Sequence, residues 1–203
     1  MPTPVLSEIR VAADFHSWAA AGFSVDAGST RVGGVSIEFV EGENGIVDWA
    51  LTEVKAAGID GLPTRVGSPA VAAGATHPNC VVEIDHVVVA TPSLDRTTAA
   101  LEDAGIELRR IREGETGMGT FRQAFFRLGR PILEVVESAE LDDAAPARFW
   151  GITFTTADLE AAAELLGEKL GRVKDAVQPG RRIATVRREA GLGLPVALIS
   201  PKG

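Results

Sequence analysis

The 203-residue chain holds a single cysteine, Cys80. One thiol can neither close an internal disulfide nor build a thiolate cage for zinc, and it is expected to be buried as a small hydrophobe. No apolar stretch approaches the length of a membrane span. The start, Met1-Pro2-Thr3-Pro4, has no basic segment followed by an apolar one, so a secretory leader is not expected and a cytoplasmic location is. Basic runs are missing as well: Arg181-Arg182 and Arg187-Arg188 are isolated pairs in a chain of formal net charge −8. An acidic surface repels nucleic-acid phosphates and anionic lipid, so no nucleic acid and no membrane is expected as a partner. The stretch Gly114-Glu115-Thr116-Gly117-Met118-Gly119 is rich in glycine but lacks the Lys-Ser/Thr ending of a phosphate loop, which leaves a hairpin connection as its simplest role.

What the chain does have is a repeat. Ile84-Asp85-His86-Val87-Val88-Val89-Ala90-Thr91-Pro92-Ser93-Leu94 and Phe149-Trp150-Gly151-Ile152-Thr153-Phe154-Thr155-Thr156-Ala157-Asp158-Leu159 are both apolar runs leading into a helix-starting turn. The first opens a strand over 81–90, a helix from Thr91 or Ser93 as N-cap to near Gly105, and strands over 106–111, 120–128 and 131–137. The second repeats the order, with strands over 149–155, 172–177, 182–188 and 194–200 and a helix opened by Thr156 to Leu159. The pattern predicts β-α-β-β-β units over 81–140 and 147–203. Residues 1–80 read as one or more degenerate or partial units, with strands over 6–11 and 46–54 and a short helix over 14–21. Residues 30–41 match 126–137 in pattern. Residues 58–79, dense in Gly, Pro, Ala and Ser, read as largely loop.

A duplicated unit with Ile84-Asp85-His86-Val87-Val88-Val89 near one start and Leu133-Glu134-Val135 at its end resembles the vicinal oxygen chelate superfamily. Its members include glyoxalase-type isomerases, extradiol dioxygenases, epimerases, fosfomycin-resistance transferases and bleomycin-binding proteins. The resemblance implies an α+β fold in which repeated units form a curved mixed sheet, a cup, with helices on its outer face. It implies a small-molecule ligand in the cup and a homodimer as the expected assembly. Strand parity, applied to that cup, turns His86, Val88, Gly151, Thr153 and Thr155 inward and Val87, Val89, Trp150, Ile152 and Phe154 toward the helices. On the closing strands Glu134 shares a face with Ile132 and Val136, and Leu198 with Val196 and Ser200.

Metal-using relatives draw ligands from the first and last strand of each unit, which carries a divalent metal onto His86 and Glu134. The matching positions of the other unit are Gly151 and Leu198, and neither side chain can ligate. Glu38 or Gln123 are the candidates for a third ligand. Without a metal, Glu134 in an apolar cup needs a partner, with Arg127 or Arg182 as candidates, and burial would raise its pKa and make it a general base. Gln123, Met118, Thr153 and Thr155 are the expected ligand contacts, and Arg109, Arg110 and Arg112 are solvated or rim residues able to hold a carboxylate or phosphate. Two readings follow. One is a lyase or isomerase acting on a small oxygen-rich substrate, with Glu134 as base or ligand and His86 beside it. The other is a metal-free ligand-binding protein, similar to the antibiotic-sequestering bleomycin-resistance type, favoured by Gly151, Leu198 and the apolar residues of the cup strands. His16 and His77 are expected to be surface or packing residues.

Overall fold

Alternating apolar residues on many short strands leave each sheet one face to bury, and two such faces meet in this chain. The computed structural model describes residues 3–55, 58–69, 74–116 and 119–202. In chain order the elements are β1 (Val5–Ala12), α1 (Phe15–Ala20), β2 (Ser29–Val32), β3 (Val35–Val40), β4 (Gly45–Thr52), β5 (Gly58–Ile59) and β6 (Leu62–Val66). There follow β7 (Val81–Thr91), α2 (Leu94–Asp103), β8 (Leu108–Thr116), β9 (Gly119–Arg127) and β10 (Ile132–Glu137). The chain closes with β11 (Arg148–Thr156), α3 (Leu159–Leu166), β12 (Lys174–Asp175), β13 (Arg182–Thr185) and β14 (Val196–Ile199). The fold is α+β, mostly strands in two curved open sheets with few helices.

The two sheets share an order. One runs β2-β3-β1-β4-β6-β5, the other β12-β13-β14-β11-β7-β10-β9-β8. In the larger sheet β7 lies parallel to β10 and antiparallel to β11, which is parallel to β14. In the smaller one β1 lies parallel to β3 and antiparallel to β4, which is parallel to β6. The smaller sheet therefore has the same centre with fewer outer strands. This corrects the expected loop over 58–79: Leu62–Val66 is a strand because Trp49, Ala50 and Leu51 of β4 offer it a parallel edge. Two further strands differ from expectation. Residues 114–116 extend β8 rather than forming a loop, and the strand expected over 172–177 shrinks to Lys174–Asp175.

One core joins both sheets. Ile9, Ile37, Trp49 and Leu51 of the smaller sheet belong to the same buried cluster as Val87, Val89, Ile152 and Phe154 of the larger one. The helices begin where side chains cap free N–H groups: Asp14 before α1, Ser93 before α2 and Asp158 before α3. Leu94 and Leu101 of α2 and Leu159 and Ala162 of α3 enter that core, so the helices cover the face of the larger sheet opposite His86 and Val88. Trp18 of α1 is fully buried, stands 4.9 Å from Phe23 and 6.0 Å from Phe154 by ring centroids, and donates its indole N–H to the Leu192 carbonyl at 3.0 Å. It thus stitches the first helix to the last hairpin.

Among the described residues no helix is long and apolar enough to cross a membrane. His77 is a packing residue: it accepts the Ser24 N–H at Nδ1 (3.0 Å) and donates from Nε2 to the Arg31 carbonyl (3.1 Å). His16 is exposed. Cys80 is half-buried rather than enclosed, in a left-handed backbone conformation with φ 58°. Trp18→Ala should cost about 3–5 kcal/mol in urea unfolding, the usual toll for emptying a buried indole site. Because the core is shared, the loss should appear in one transition that covers both sheets, and two separate transitions would contradict a shared core.

Candidate active site

The chemistry of the larger sheet begins with an irregularity in β7. Thr153 of β11 stands opposite His86, but the next partner, Phe154, stands opposite Ile84. Asp85 is therefore an extra residue, a β-bulge, and the bulge breaks the two-residue alternation. Ile84 and Val87 both reach the core, and Asp85 comes to lie beside His86. A second bulge sits at Trp150, between the pairs Phe149–Val89 and Gly151–Val88. Phe149 takes the core-side place, 5.1 Å from Trp49, and Trp150 turns out to 53% exposure at the cavity wall. The expectation that Trp150 faces the helices is corrected by that bulge.

Asp85 is almost fully buried and pairs with Arg181, 3% exposed, at 2.7 Å. A turn delivers the arginine. Gln178-Pro179-Gly180-Arg181 has proline second and glycine third, with Gly180 at φ +76° and the Arg181 N–H donating back to the Gln178 carbonyl (3.2 Å). The guanidinium also donates to the Ser200 carbonyl (2.7 Å) and the Gln178 side chain (2.6 Å). Burial pushes the Asp85 carboxyl up, but the hydrogen bonds from His86 and Arg181 and their charges outweigh it and hold it at about 2. An ionised carboxylate only accepts, so at 2.8 Å the His86 Nδ1 must be the donor. That leaves Nε2 as the working atom.

Nε2 of His86 faces Oε2 of Glu134 at 3.4 Å, within ion-pair range and longer than a hydrogen bond. The other Glu134 oxygen accepts the Gln123 amide N–H at 2.9 Å. Burial raises the Glu134 pKa above the ordinary carboxylate range, and the charges of His86 and Arg112 oppose the rise without cancelling it. An imidazole lone pair facing a carboxylate oxygen is repulsive, so one proton lies between them, on one atom or the other. The pair opens onto a cavity of about 400 Å³, the size of a small-molecule site. Its walls are largely apolar, with Val88, Val136, Trp150, Ile152, Pro195 and Val196, and Thr153 and Arg148 also line it.

The structure thus brings together His86, Glu134, Gln123 and Thr153. Thr155 takes another place: it is buried behind the sheet surface and its hydroxyl lies 3.4 Å from both Asp85 and Arg181. Met118 falls outside the described residues. The cations expected to meet Glu134 do not: Arg182 pairs with Glu160 and Arg127 is exposed. Glu38 stands on β3 of the other sheet. Leu198 is buried in the core, and Ala197 lines the cavity in its stead. The register agrees, since Thr153 pairs with Ala197 on one side as Val88 pairs with Glu134 on the other.

Asp85, Arg181, Arg148 and Trp150 were missed by the sequence reading. A signal for Asp85 exists: in Ile84-Asp85-His86-Val87 the apolar residues fall three apart where a regular strand would place them two apart.

A divalent metal would find two strong protein donors here, His86 Nε2 and Glu134. Asp85 is committed to Arg181, and Thr153 offers only a hydroxyl. Among the described residues no group of three or more His, Cys, Asp or Glu side chains is placed to hold a metal ion. Open metal sites ordinarily use three protein ligands, so this donor set does not fit one. Gly151, the counterpart of His86 in the repeat, cannot complete it. A Cβ there would stand 2.5 Å from the Pro195 carbonyl oxygen, the atom that accepts the Ile152 N–H at 3.0 Å.

No family model matches the chain, and no curated protein matches it by sequence. Among solved structures the chain is similar to methylmalonyl-CoA epimerase from Mycobacterium tuberculosis, at 18% identity over 61% of this chain and 91% of that one, with a TM-score of 0.49. It is similar to methylmalonyl-CoA epimerase from Streptomyces coelicolor in complex with 2-nitronate-propionyl-CoA, at 20% identity, 61% and 99% coverage and a TM-score of 0.49. It is also similar to a hypothetical protein from Bacillus halodurans, at 14% identity, 60% and 95% coverage and a TM-score of 0.47. Such likenesses say nothing of which reaction this chain's side chains carry out.

Asp85→Asn or Arg181→Met alone should destabilise the protein by about 3–5 kcal/mol, because each leaves a buried charge unpaired. The double change should cost less than the sum. The folded Asp85 pKa lies below its unfolded value, so its contribution, about 2 kcal/mol, is complete above pH ~4 and lost as the pH falls through ~2. Acid unfolding followed by circular dichroism checks this, and the Asp85→Asn variant should lack that limb. Gly151→Ala should lower stability by about 1–3 kcal/mol through the clash with Pro195, and an unchanged melting temperature would show that the backbone there can move aside.

Proposed function

We propose that this chain is a small-molecule isomerase or lyase that works by proton transfer at a carbon next to a carbonyl group. The observation that carries the reading is the line Arg181–Asp85–His86–Glu134, which ends at an apolar cavity in a buried carboxylate with a raised pKa. A base of raised pKa is better matched to a weak carbon acid than an ordinary surface carboxylate. Substrate entering the cavity displaces water and places its C–H against Glu134. The carboxylate takes the proton and the electron pair moves onto the carbonyl oxygen. His86, held by Asp85 with Nε2 forward, gives its proton to that oxygen. Both protons then return: one to carbon from Glu134, the other from oxygen to Nε2. Where the α-carbon bears a hydroxyl, that hydroxyl instead gives its proton to Nε2 while Glu134 protonates the former carbonyl carbon, which is an isomerisation. Where the enol carries a leaving group on the next carbon, the enol O–H returns its proton to Nε2 and the departing group takes its electron pair and the Glu134 proton, which is an elimination.

Gln123 fixes the Glu134 rotamer through its 2.9 Å hydrogen bond, so its role is positioning. Thr153 lines the cavity across β11 from His86 and is assigned to substrate contact.

The apolar walls of the cavity favour a second reading, a binding protein that recognises shape, with His86 and Glu134 fixing orientation only. The two readings separate in deuterium oxide. Incubated with a panel of carbonyl compounds bearing an acidic α-hydrogen, the protein should catalyse deuterium exchange at that carbon, followed by NMR. Glu134→Gln should lower the exchange rate by about 10²–10⁴-fold. Because ionised Glu134 is strained by burial, the same variant should melt no lower than the parent. The acid limb of the rate profile should lie above the ordinary Glu pKa of about 4.3. Full exchange in Glu134→Gln would remove Glu134 as the base, and tight binding with no exchange in the parent protein would decide for the binding reading. Chelator treatment should leave exchange intact; stoichiometric metal that disappears in His86→Ala would overturn the metal-free account.

A further inference from the structure

The His86–Glu134 pair borders a second cavity of about 200 Å³, on the side away from Trp150. Arg110, Phe125, Ile132 and Gln178 help to line it. Charged side chains are denser on its wall than on that of the first, with Asp85, Arg109 and Arg110 beside the shared pair. Arg110 and Arg112 are two apart on β8, in register with Phe125 and Gln123 of β9, and Phe125 is itself in register with Glu134. Each guanidinium is held over a ring of the neighbouring strand: Arg110 lies 4.8 Å from the Phe125 centroid and Arg112 5.0 Å from that of Phe121. The Arg112 charge is felt at Glu134.

Neither arginine has a carboxylate within ion-pair distance among the described residues. Other arginines of β8 and β9 do: Arg109 pairs with Glu107, and Arg122 with Asp95, Glu113 and Glu137. In a chain of net charge −8, carboxylates are abundant. Two cations that are oriented by aromatic rings, share the face of Glu134 and lack an anion of their own have the composition of an oxyanion subsite.

We infer that Arg110 and Arg112 bind an anionic oxygen group of the substrate, a carboxylate or a phosphate, while an apolar part of the same molecule occupies the larger cavity. This inference deepens the proton-transfer reading and rests on it for the position of the reacting carbon, which the two compartments would suspend over Glu134. The substrate class is then an amphiphilic acid with an acidic C–H between its charged and its apolar ends. The two guanidinium groups are specificity and positioning residues. They do not exchange protons.

Binding is measurable without turnover. Hexanoate, hexyl phosphate and hexan-1-ol can be titrated calorimetrically into the full chain. At least one of the two anions should bind about tenfold or more tightly than the alcohol, the size of one charge-assisted hydrogen bond. Which anion it is tells carboxylate from phosphate. R110Q/R112Q should lose that advantage and leave hexan-1-ol binding unchanged, while R110K/R112K should keep part of it and report that the fold survives. Glu134→Gln should bind the anions at least as tightly as the parent, because it removes a like charge. Equal binding of alcohol and anions, or an R110Q/R112Q protein that binds anions as the parent does, would overturn the subsite. If the arginine variants behave as expected but the parent protein exchanges no deuterium, the proton-transfer reading fails and the subsite stands.

Discussion

The buried pair of Asp85 and Arg181 is the constraint on which the active side of the molecule depends. The two residues are nearly a hundred positions apart and belong to different units of the repeat, so the contact forms only when both units are in register. A buried ion pair adds little net stability compared with a well-packed apolar pair. What it supplies here is orientation. Burial pushes the Asp85 carboxyl up and the hydrogen bonds from His86 and Arg181 hold it down, and the ionised carboxylate keeps the proton of His86 on Nδ1. Only then does Nε2 address Glu134 and the cavity. The Pro179-Gly180 turn, a loop by any local measure, is therefore as much a part of the site as the strand that carries His86.

The two sheets show how one strand order can be left open or closed. On the larger sheet the polar centre opens to a cavity. On the smaller sheet Asp48 of β4 is 4% exposed and receives Arg10 of β1 and Arg65 of β6, and Arg65 also reaches Glu8. Burial pushes the Asp48 carboxyl up, and the two guanidinium groups more than reverse the push. The carboxylate there is saturated by its own neighbours. Glu134 has no arginine directly on it; it has an imidazole, one amide and a cavity. The difference between a carboxylate neutralised by its neighbours and one left facing a cavity lies in which cations sit in contact.

Much of the architecture was legible because it rests on local patterning. The β-branched run over 81–90, the cap at Ser93, and the glycines that end helices all act within a few residues. The expected facing of His86, Val88, Thr153 and Glu134 followed from alternation, which holds wherever the ladder is regular. It failed at Trp150, where a bulge exchanges inside for outside, and at Leu198, where comparison of sequence alone is one residue out of register with the pairing. β6 was hidden for a different reason: Leu62-Pro63-Thr64-Arg65-Val66 has little strand character of its own and forms by completing the edge of β4. Arg181 was beyond local inference, since nothing near it in the chain names Asp85.

The bulge at residue 85 separates what the scaffold needs from what the site needs. A chain one residue shorter at that point would pair Phe154 with Ile84 and Thr153 with His86 without interruption, and every core side chain of β7 would keep its face. The ladder is complete without Asp85. What would vanish is the anchor for Arg181 and the fixed tautomer of His86. A related protein that matched this fold strand for strand could thus be inert for want of a single inserted residue, and an alignment would score the loss as one gap in a loop-free strand.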